Sequence, residues 1–466
     1  MYSLHDLKIT GLSLDRILSC EIESHIGEHS TLMLGGYVDN EEELLFGVPD
    51  CQDIEVSIQD KDGIKILFSG IVSNIQITEA GQMKTAWIEG KSRSWLMDRR
   101  KHSRSFQDPQ TSYQALAEEI LKDYEKSSLI YAGECRQTGG LLIQYEETDW
   151  VFLKRVLSKA GLLLTPDSRV PGISLYAGVP AFPESAVFYS VLAMNKDMRS
   201  YYYLKASKRM VHPADFTQYV IASEQLMGIF ETALIQGQSL AAYACRYSFD
   251  AQELTGTYWM QGKKGLSVQT SYPMHLIGTA LMAKVVNVQK NLIQAAMEID
   301  GTHTERAVHW FPYSTISASP DGSGWYCMPE IGDDVRIYFP SKAEGEAIAL
   351  SAVSGYEAPQ GGSDWMQDPN SRYLRTRFGQ ELALNPNEAS LSCGGQSGIR
   401  ILTDGSLTIY AKESVCVQAK EKITLHAEEN LTIHVKEQFQ MQSMQGGQLA
   451  SMEGKMLIRG TEVKLD

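Results

Sequence analysis

The chain has 466 residues, of which 43% are hydrophobic and 21% are charged, and its formal net charge is −15. This length predicts three or four folded domains, and the lack of any run of 18 apolar residues argues against a membrane-spanning helix. The acidic balance argues against nucleic-acid binding as the main activity, because phosphate recognition needs a basic surface.

Residues 1–100 show the alternating apolar pattern that is typical of β-strands. The segments Ile54–Ile58 and Ile64–Phe68 flank a polar run that ends at Gly63, which predicts a β-hairpin. The first residues contain no basic region followed by an apolar run. We therefore expect no secretory signal peptide and assembly of the protein in the cytoplasm.

Two helices are expected within residues 101–165. Thr111 and Gln114 have the spacing of a capping box, which predicts the start of the first helix. The second helix should begin near Trp150 and end at Gly161. The apolar residues of its inward face are Phe152, Leu153, Val156 and Leu157. Residues 166–260 have the composition of strands and loops and contain no clear motif.

Residues 268–356 predict the short strands of a small five-stranded barrel. Three sets of apolar residues alternate there: Leu281, Ala283 and Val285; Val335, Ile337 and Phe339; and Ile348, Leu350 and Ala352. A turn rich in glycine and proline leads into the second set. The residues of this barrel corner are Gly324, Pro329, Gly332, Asp333 and Val335.

Residues 370–466 contain a repeat of eight residues that is most regular from Gly398 onward. Each repeat places two apolar residues at positions i and i+2, which lie on one face of a strand. The apolar pairs that we assign to the core of this segment are Ile399 and Ile401, Leu407 and Ile409, Val415 and Val417, Ile423 and Leu425, Leu431 and Ile433, and Phe439 and Met441. A helix is excluded, because eight residues drift from the helical period.

A fixed period indicates stacked units that cannot bury their apolar faces alone. Eight residues are too few for a single-chain coil with three long faces. Three intertwined chains solve this problem, because each chain then supplies one face of a triangular shaft in each layer. The alternative is a single-chain β-solenoid or an ordinary sheet.

The barrel corner followed by the repeat resembles the VgrG-type spike proteins of type VI secretion systems and related contractile injection machines. Upstream, Arg104-Ser105-Phe106 and the run from Glu147 to Leu153 are similar to segments of phage tail hub proteins. The resemblance implies a mainly β fold with a few helices. Its expected domains are a first hub β-barrel at 1–100, a helical insertion at 101–165, a second hub β-barrel at 166–260, an OB-type barrel at 268–356 and an intertwined trimeric β-helix at 370–466.

The resemblance implies a structural hub and membrane-puncturing spike that joins a tail tube to a tip and carries effectors. The implied partners are two further copies of the chain, a tail tube protein, baseplate proteins, and a PAAR-type tip protein with effector cargo. The machine would deliver the protein outside the cell or into a target cell. The alternative function is a trimeric fibre that binds glycans or a receptor.

No motif for a nucleophile, a phosphate loop or a metal site is present, so we predict no enzymatic activity, no cofactor and no metal. His426 and His434 are eight residues apart and predict an exposed stacked pair on the outside of the shaft. The seven cysteines form no C-x-x-C pair, which predicts reduced and mostly buried thiols.

Overall fold

The computed structural model describes residues 2–3, 6–60, 63–80, 83–207, 210–250, 253–321, 323–351, 356, 360–361, 364, 366–442, 448–452 and 455–459, with the backbone alone from 441 onward. The chain divides into two compact units, Met1–Gly355 and Tyr356–Asp466. It is mainly β, with several antiparallel sheets and a few short helices, as the sequence predicts.

The strands of the first unit are β1 (Leu7–Thr10), β2 (Arg16–His25), β3 (Thr31–Tyr37), β4 (Asp53–Asp60), β5 (Gly63–Ala80), β6 (Met83–Ser92), β7 (Lys101–Phe106), β8 (Ser127–Tyr131), β9 (Leu142–Thr148), β10 (Leu164–Pro166), β11 (Ile173–Ala177), β12 (Glu184–Ser185), β13 (Ser190–Lys196), β14 (Thr217–Ser223), β15 (Thr232–Ile235), β16 (Gln238–Asp250), β17 (Glu253–Gln261), β18 (Ala280–Gln289), β19 (Leu292–Met297), β20 (Trp310–Pro312), β21 (Asp334–Tyr338) and β22 (Ile348–Ser351). The strands of the second unit are β23 (Arg372–Arg375), β24 (Gln380–Asn385), β25 (Glu388–Cys393), β26 (Ser397–Leu402), β27 (Leu407–Ala411), β28 (Gln438–Gln442), β29 (Gln448–Met452) and β30 (Lys455–Arg459). The α-helices are α1 (Glu41–Phe46), α2 (Tyr113–Leu121), α3 (Asp149–Lys159) and α4 (Met198–Ala206).

Twelve strands of the first unit form one sheet. Its main order is β1-β4-β5-β6-β3-β2-β16-β17-β14-β13, and β15 pairs with both β16 and β12. The predicted hairpin is present, because β4 and β5 pair antiparallel with Asp60 opposite Gly63. The regions predicted as two hub barrels are joined where β2 pairs with β16, with Glu21 opposite Ser248. Buried residues from both regions form one continuous apolar core.

The helical insertion has its own core, to which α2 and α3 contribute. Helix α2 begins one residue later than predicted: Ser112, not Thr111, is the N-cap, and its Oγ accepts a hydrogen bond from the Ala115 amide at 3.1 Å. Helix α3 has Thr148 as its N-cap and buries all four residues of the predicted inward face. Strand β11, which follows residue 165, pairs in parallel with β8.

A five-stranded antiparallel sheet follows, in the order β20-β19-β18-β21-β22. Its two end strands approach each other, since Tyr313 forms a bridge with Ala349. The predicted inward faces of β18 and β21 are confirmed by the burial of their alternating apolar residues. The predicted face of β22 is wrong: Ala347 and Ala349 are fully buried, whereas Ile348 and Leu350 are only partly buried. The predicted Ala352 lies outside the described residues.

The described part of the second unit contains two separate antiparallel sheets. One has the order β23-β24-β25-β26-β27, and the other has the order β28-β29-β30. Residues 412–437, which connect them, are described but contain no strand or helix. Three of the six predicted apolar pairs lie in residues 413–437, which therefore form no strand pairing with the described residues of their own chain.

Candidate assembly surfaces

One face of the sheet β23–β27 carries two rows of apolar side chains. In the first row, Leu382 lies opposite Leu391, which lies opposite Ile399, which in turn lies opposite Ile409. Residues at i and i+2 of a strand share a face, so the second row lies beside the first on the same face. Its members are Leu384, Ala389, Ile401 and Leu407.

These side chains are uncovered in the single chain. The large aliphatic members of the two rows, together with Leu374, are 41–62% exposed. Soluble monomers rarely leave such a contiguous apolar patch open to water, and a patch of this kind marks an interaction surface. The face therefore has the character of an interface.

Residues 413–437 present a second unpartnered surface. Their backbone forms no hydrogen bond with the described part of the chain. The predicted core residues of this run are nevertheless exposed, by 52–72%: Val415, Val417, Ile423, Leu425, Leu431 and Ile433. The run thus combines strand-forming residues, unpaired backbone groups and exposed apolar side chains.

The last predicted pair of shaft residues lies on β28. Phe439 is partly buried and its backbone lies opposite Ser451 of β29. The side chain of Met441 lies outside the described ones. We define residues 372–442 as the shaft segment. It contains every predicted shaft residue, and the described side chains from Ile399 to Ile433 in that set all point to solvent in the single chain.

The predicted barrel corner is a turn that positions β21. Gly324 has φ of +135°, and a Cβ atom there would lie 2.4 Å from the Ser317 carbonyl oxygen. The carboxylate of Asp333 accepts a hydrogen bond from the Glu330 amide at 2.8 Å, which closes the turn. Gly332 then donates its amide to the Val285 carbonyl at 2.8 Å. Val335 follows and is buried in the core of the five-stranded sheet; Pro329 is partly buried.

A buried group of charges joins the helical insertion to the five-stranded sheet, and we call it the polar joint: Glu147, Arg155, Lys159 and Glu344. Arg155 donates to both carboxylate oxygens of Glu147, at 3.0 and 2.6 Å, and to Glu344 Oε1 at 3.0 Å. Lys159 pairs with the other oxygen of Glu344. The guanidinium and both carboxylates are almost fully buried, and such charges need partners of this kind to remain buried.

A second polar contact links the same two regions. Asp300 accepts hydrogen bonds from the amide and the hydroxyl of Ser105, at 2.6 and 2.5 Å. Burial raises the pKa of Asp300 above its ordinary value. Leu141 and Ile143 of the insertion also belong to the core of the five-stranded sheet. The insertion and the five-stranded sheet are therefore packed together by both apolar and charged contacts.

Sequence reasoning missed these contacts. The partners are up to 201 residues apart, as for the Ile143 amide and Glu344. Only one signal was available: Arg155 interrupts the apolar face of α3. A charge on the buried face of a helix indicates a buried ion pair, but it does not identify the partner.

The described residues contain no group of three or more His, Cys, Asp or Glu side chains that could hold a metal ion. None of the described helices is long and apolar enough to cross a membrane. The expectation of mostly buried thiols is wrong. Cys20 and Cys245 are buried, and burial raises the pKa of each to about 12. Cys135, Cys327, Cys393 and Cys416 are exposed in the single chain.

Residues 51–169 match the family described as phage tail baseplate hub (GPD). This region extends from the first half of the twelve-stranded sheet through the helical insertion. No curated protein matches the chain.

Solved structures share the fold. The first is the E. coli c3393 protein, described as a component of the type VI secretion system with structural similarity to the T4 bacteriophage tail proteins gp27 and gp5; the TM-score is 0.56 at 14% identity, over 74% of this chain and 99% of that one. The half-lidded Francisella PdpA–VgrG complex gives a TM-score of 0.53 at 12% identity, over 87% of this chain and 85% of that one. The lidded complex gives 0.53 at 11% identity, over 88% and 78%. The predicted resemblance to VgrG-type hub and spike proteins is thus confirmed at the level of the fold.

Proposed function

We propose that this chain, which shares its fold with VgrG-type hub and spike proteins, is the hub and spike subunit of a contractile injection machine. In the proposed assembly, three copies associate through their shaft segments. The main support for this proposal comes from residues 413–437, whose apolar side chains are exposed and whose backbone forms no hydrogen bond with the described part of the chain. The match of residues 51–169 to the baseplate hub family supports the hub role.

We infer that the shaft segment associates in two different ways. In β23–β27 every strand already pairs within its own chain, so the exposed apolar faces of three such sheets would pack against one another. Residues 413–437 form no strand pairing with the described residues of their own chain, so their strands would pair with those of the other two copies. Each aliphatic side chain buried in this way contributes about 1.5–3 kcal/mol before entropy is subtracted.

The proposed mechanism is mechanical. Contraction of a sheath would drive the trimer through an envelope, and a shaft with all strand edges paired would resist unfolding and proteolysis. The polar joint and the shared core would hold the helical insertion and the five-stranded sheet together under load. The proposed partners are a tail tube protein, baseplate proteins, and a PAAR-type tip protein with effector cargo. The protein would assemble in the cytoplasm and leave the cell with the machine.

The mass of the full-length protein in solution tests this proposal. Light scattering should give three times the chain mass of 51.9 kDa. Leu425→Asp should reduce it to the monomer mass, because three carboxylates would be buried close together on the axis. The matched control Lys422→Asp, three residues away on the polar side of the repeat, should remain trimeric. A monomer for the unmodified protein would overturn the proposal.

A second candidate function rests on Trp325 and Tyr326. These adjacent aromatic side chains are exposed, and the Tyr326 hydroxyl donates to the Lys290 carbonyl at 2.9 Å. Exposed aromatic rings are suited to stacking on sugars, which favours a glycan-binding fibre. Saturable binding to a glycan array that is lost in a Trp325→Ala variant would support this candidate; absence of binding by the intact trimer would exclude it for the glycans tested.

A further inference from the structure

The connection between β13 and β14 is a basic segment of an acidic protein. The sequence from Lys196 to His212 contains five lysine and arginine residues and one acidic residue, Asp197. The chain as a whole has a formal net charge of −15. Helix α4 forms the first part of this segment. The segment therefore concentrates positive charge against the balance of the rest of the chain.

One side of α4 is buried in a small core of its own. Tyr201 and Leu204 are 7% and 3% exposed, and both belong to an apolar cluster with Phe216. The rings of Tyr201 and Phe216 meet edge to face, with their centroids 5.7 Å apart. Because residues three apart share a face of a helix, these contacts fix which side of α4 is buried.

The single acidic residue of the segment caps the helix. The carboxylate of Asp197 accepts hydrogen bonds from the amides of Arg199 and Ser200, at 3.1 and 3.4 Å, and from the Ser200 hydroxyl at 2.6 Å. The Arg199 guanidinium lies 3.7 Å from the same carboxylate, and its side chain is 99% exposed. A surface ion pair of this kind contributes little, so the arginine can turn to a partner at small cost.

The opposite side of α4 presents two tyrosines among positive charges. Tyr202 is 63% exposed and Tyr203 is 41% exposed. Arg199 precedes them by three and four residues, and Lys205 follows Tyr202 by three, so these side chains are neighbours on the helix surface. Lys196, just before the helix, is also exposed. The local core uses Tyr201 alone, so it does not account for the two tyrosines that follow.

We infer that this face of α4, formed by Arg199, Tyr202, Tyr203 and Lys205, binds an anionic lipid surface. Lysine and arginine side chains near a membrane are attracted to acidic lipids. Tyrosine rings favour the level of the headgroups, because their apolar body and polar hydroxyl suit that layer. A helix with these two features lies in the plane of the interface. The inference goes beyond the proposed function, in which only the shaft meets the membrane.

The arrangement of the charges favours lipid over an acidic protein as the partner. An acidic protein must place a carboxylate opposite each cation, whereas lipid headgroups move laterally to wherever the cations lie. The cations of α4 stand on long, flexible side chains around the two tyrosines, and an exposed helix face is convex. Such a face fits a flat, fluid anionic surface. Three copies in the proposed trimer would also bind together, which strengthens a weak contact.

Vesicle sedimentation of the full-length protein tests this inference. The protein is mixed with sucrose-loaded vesicles of phosphatidylcholine that contain phosphatidylserine, at about 0.1 M salt, where charges interact over about 10 Å. It should sediment with these vesicles and not with vesicles of phosphatidylcholine alone. Binding should be lost at about 1 M salt, where that distance falls to about 3 Å.

Charge reversal locates the binding surface. Arg199→Glu combined with Lys205→Glu should weaken binding by at least about ten-fold, because attraction at two positions becomes repulsion. The matched control is Arg100→Glu combined with Lys101→Glu, which changes the net charge equally at exposed residues elsewhere and should bind like the unmodified protein. Equal light-scattering masses for the three proteins show that the substitutions leave the assembly intact.

Two milder substitutions separate charge from shape. Arg199→Lys should bind as well as the unmodified protein, since a lipid surface needs the charge and not the fork of the guanidinium. Tyr202→Ser should weaken binding several-fold and leave its salt dependence unchanged. Amides of α4 should exchange hydrogen more slowly when the phosphatidylserine vesicles are present.

Each outcome decides the inference. Loss of binding in the α4 charge reversal, with binding kept in the control and in Arg199→Lys, supports it. No binding to phosphatidylserine vesicles at about 0.1 M salt would overturn it and leave an acidic protein as the partner of this face. Equal weakening by both charge reversals would also overturn it, because the attraction would then be spread over the whole surface. The spike proposal is tested separately by the mass of the protein without vesicles.

Discussion

Truncation of one apolar side chain in the shaft segment should reveal whether the exposed apolar residues of the repeat are buried in the proposed trimer. Ile423 is 52% exposed in the single chain. If it remained so, Ile423→Ala would change stability by no more than about 0.5 kcal/mol, as is usual at the surface. If three copies bury it on a common axis, each truncation should cost about 2–5 kcal/mol, and the trimer should lose roughly 6–15 kcal/mol.

This difference in stability between a buried and an exposed Ile423 is large enough to measure even if the trimer unfolds irreversibly. The temperature at which the trimer dissociates in detergent should fall by many degrees for Ile423→Ala at fixed protein concentration. The neighbouring control Lys422→Ala should behave like the unmodified protein, because adjacent residues of a strand point to opposite faces. Equal dissociation temperatures for Ile423→Ala and Lys422→Ala would refute the burial of Ile423 in the trimer.

Three further results are expected for the first unit. Burial lowers the pKa of His29 from 6.5 to about 4. Between these pH values the unfolded chain therefore binds a proton at this side chain and the folded chain does not. The free energy of unfolding should decrease as the pH is lowered from 6.5 to 4, by about 1.4 kcal/mol per pH unit. His29→Gln should flatten this dependence in urea titrations, and His303→Gln, at an exposed site, should not. Glu344→Gln leaves the buried Arg155 and Lys159 with one carboxylate fewer and should cost about 3–5 kcal/mol in thermal unfolding, whereas Glu346→Gln at the surface should be near neutral. Gly324→Ala should destabilise the barrel corner by about 1–3 kcal/mol because its positive φ and close carbonyl leave no room for a Cβ; an unchanged melting temperature would contradict this.

The sequence predicted the buried side of a helix or strand correctly where the apolar residues lie on one side of the element only. The inward residues of α3 recur at helical spacing and are all buried. The alternation in β21 is equally clear, because Arg336 and Tyr338, which each carry a polar group, separate the aliphatic and phenyl side chains. In both elements the period of the apolar residues alone determines which side faces the core.

The errors arose where the pattern was ambiguous. The run from Ala347 to Leu350 is apolar at every position, so alternation cannot choose a face, and the smaller alanines fit the crowded core. At the start of α2, both Thr111 and Ser112 are residue types that favour the N-cap position. In the structure, the Ser112 hydroxyl accepts the hydrogen bond from the Ala115 amide. A one-residue ambiguity of this kind is inherent in capping patterns.

Long-range features could not be predicted from the sequence. The polar joint brings together residues nearly 200 positions apart. The shaft repeat was visible because every unit must present the same face, which imposes the same residue types in each block.

Amide hydrogen exchange across residues 413–437 of the full-length protein tests the central claim most directly. These amides form no backbone hydrogen bond with the described residues of their own chain, and in the proposed trimer the other two copies would protect them. If three shaft segments intertwine, the amides should exchange orders of magnitude more slowly than those of an unstructured peptide of the same sequence, at every repeat of the run. Exchange at the rate of that peptide would show that the run is unpaired in solution and would contradict the trimeric spike.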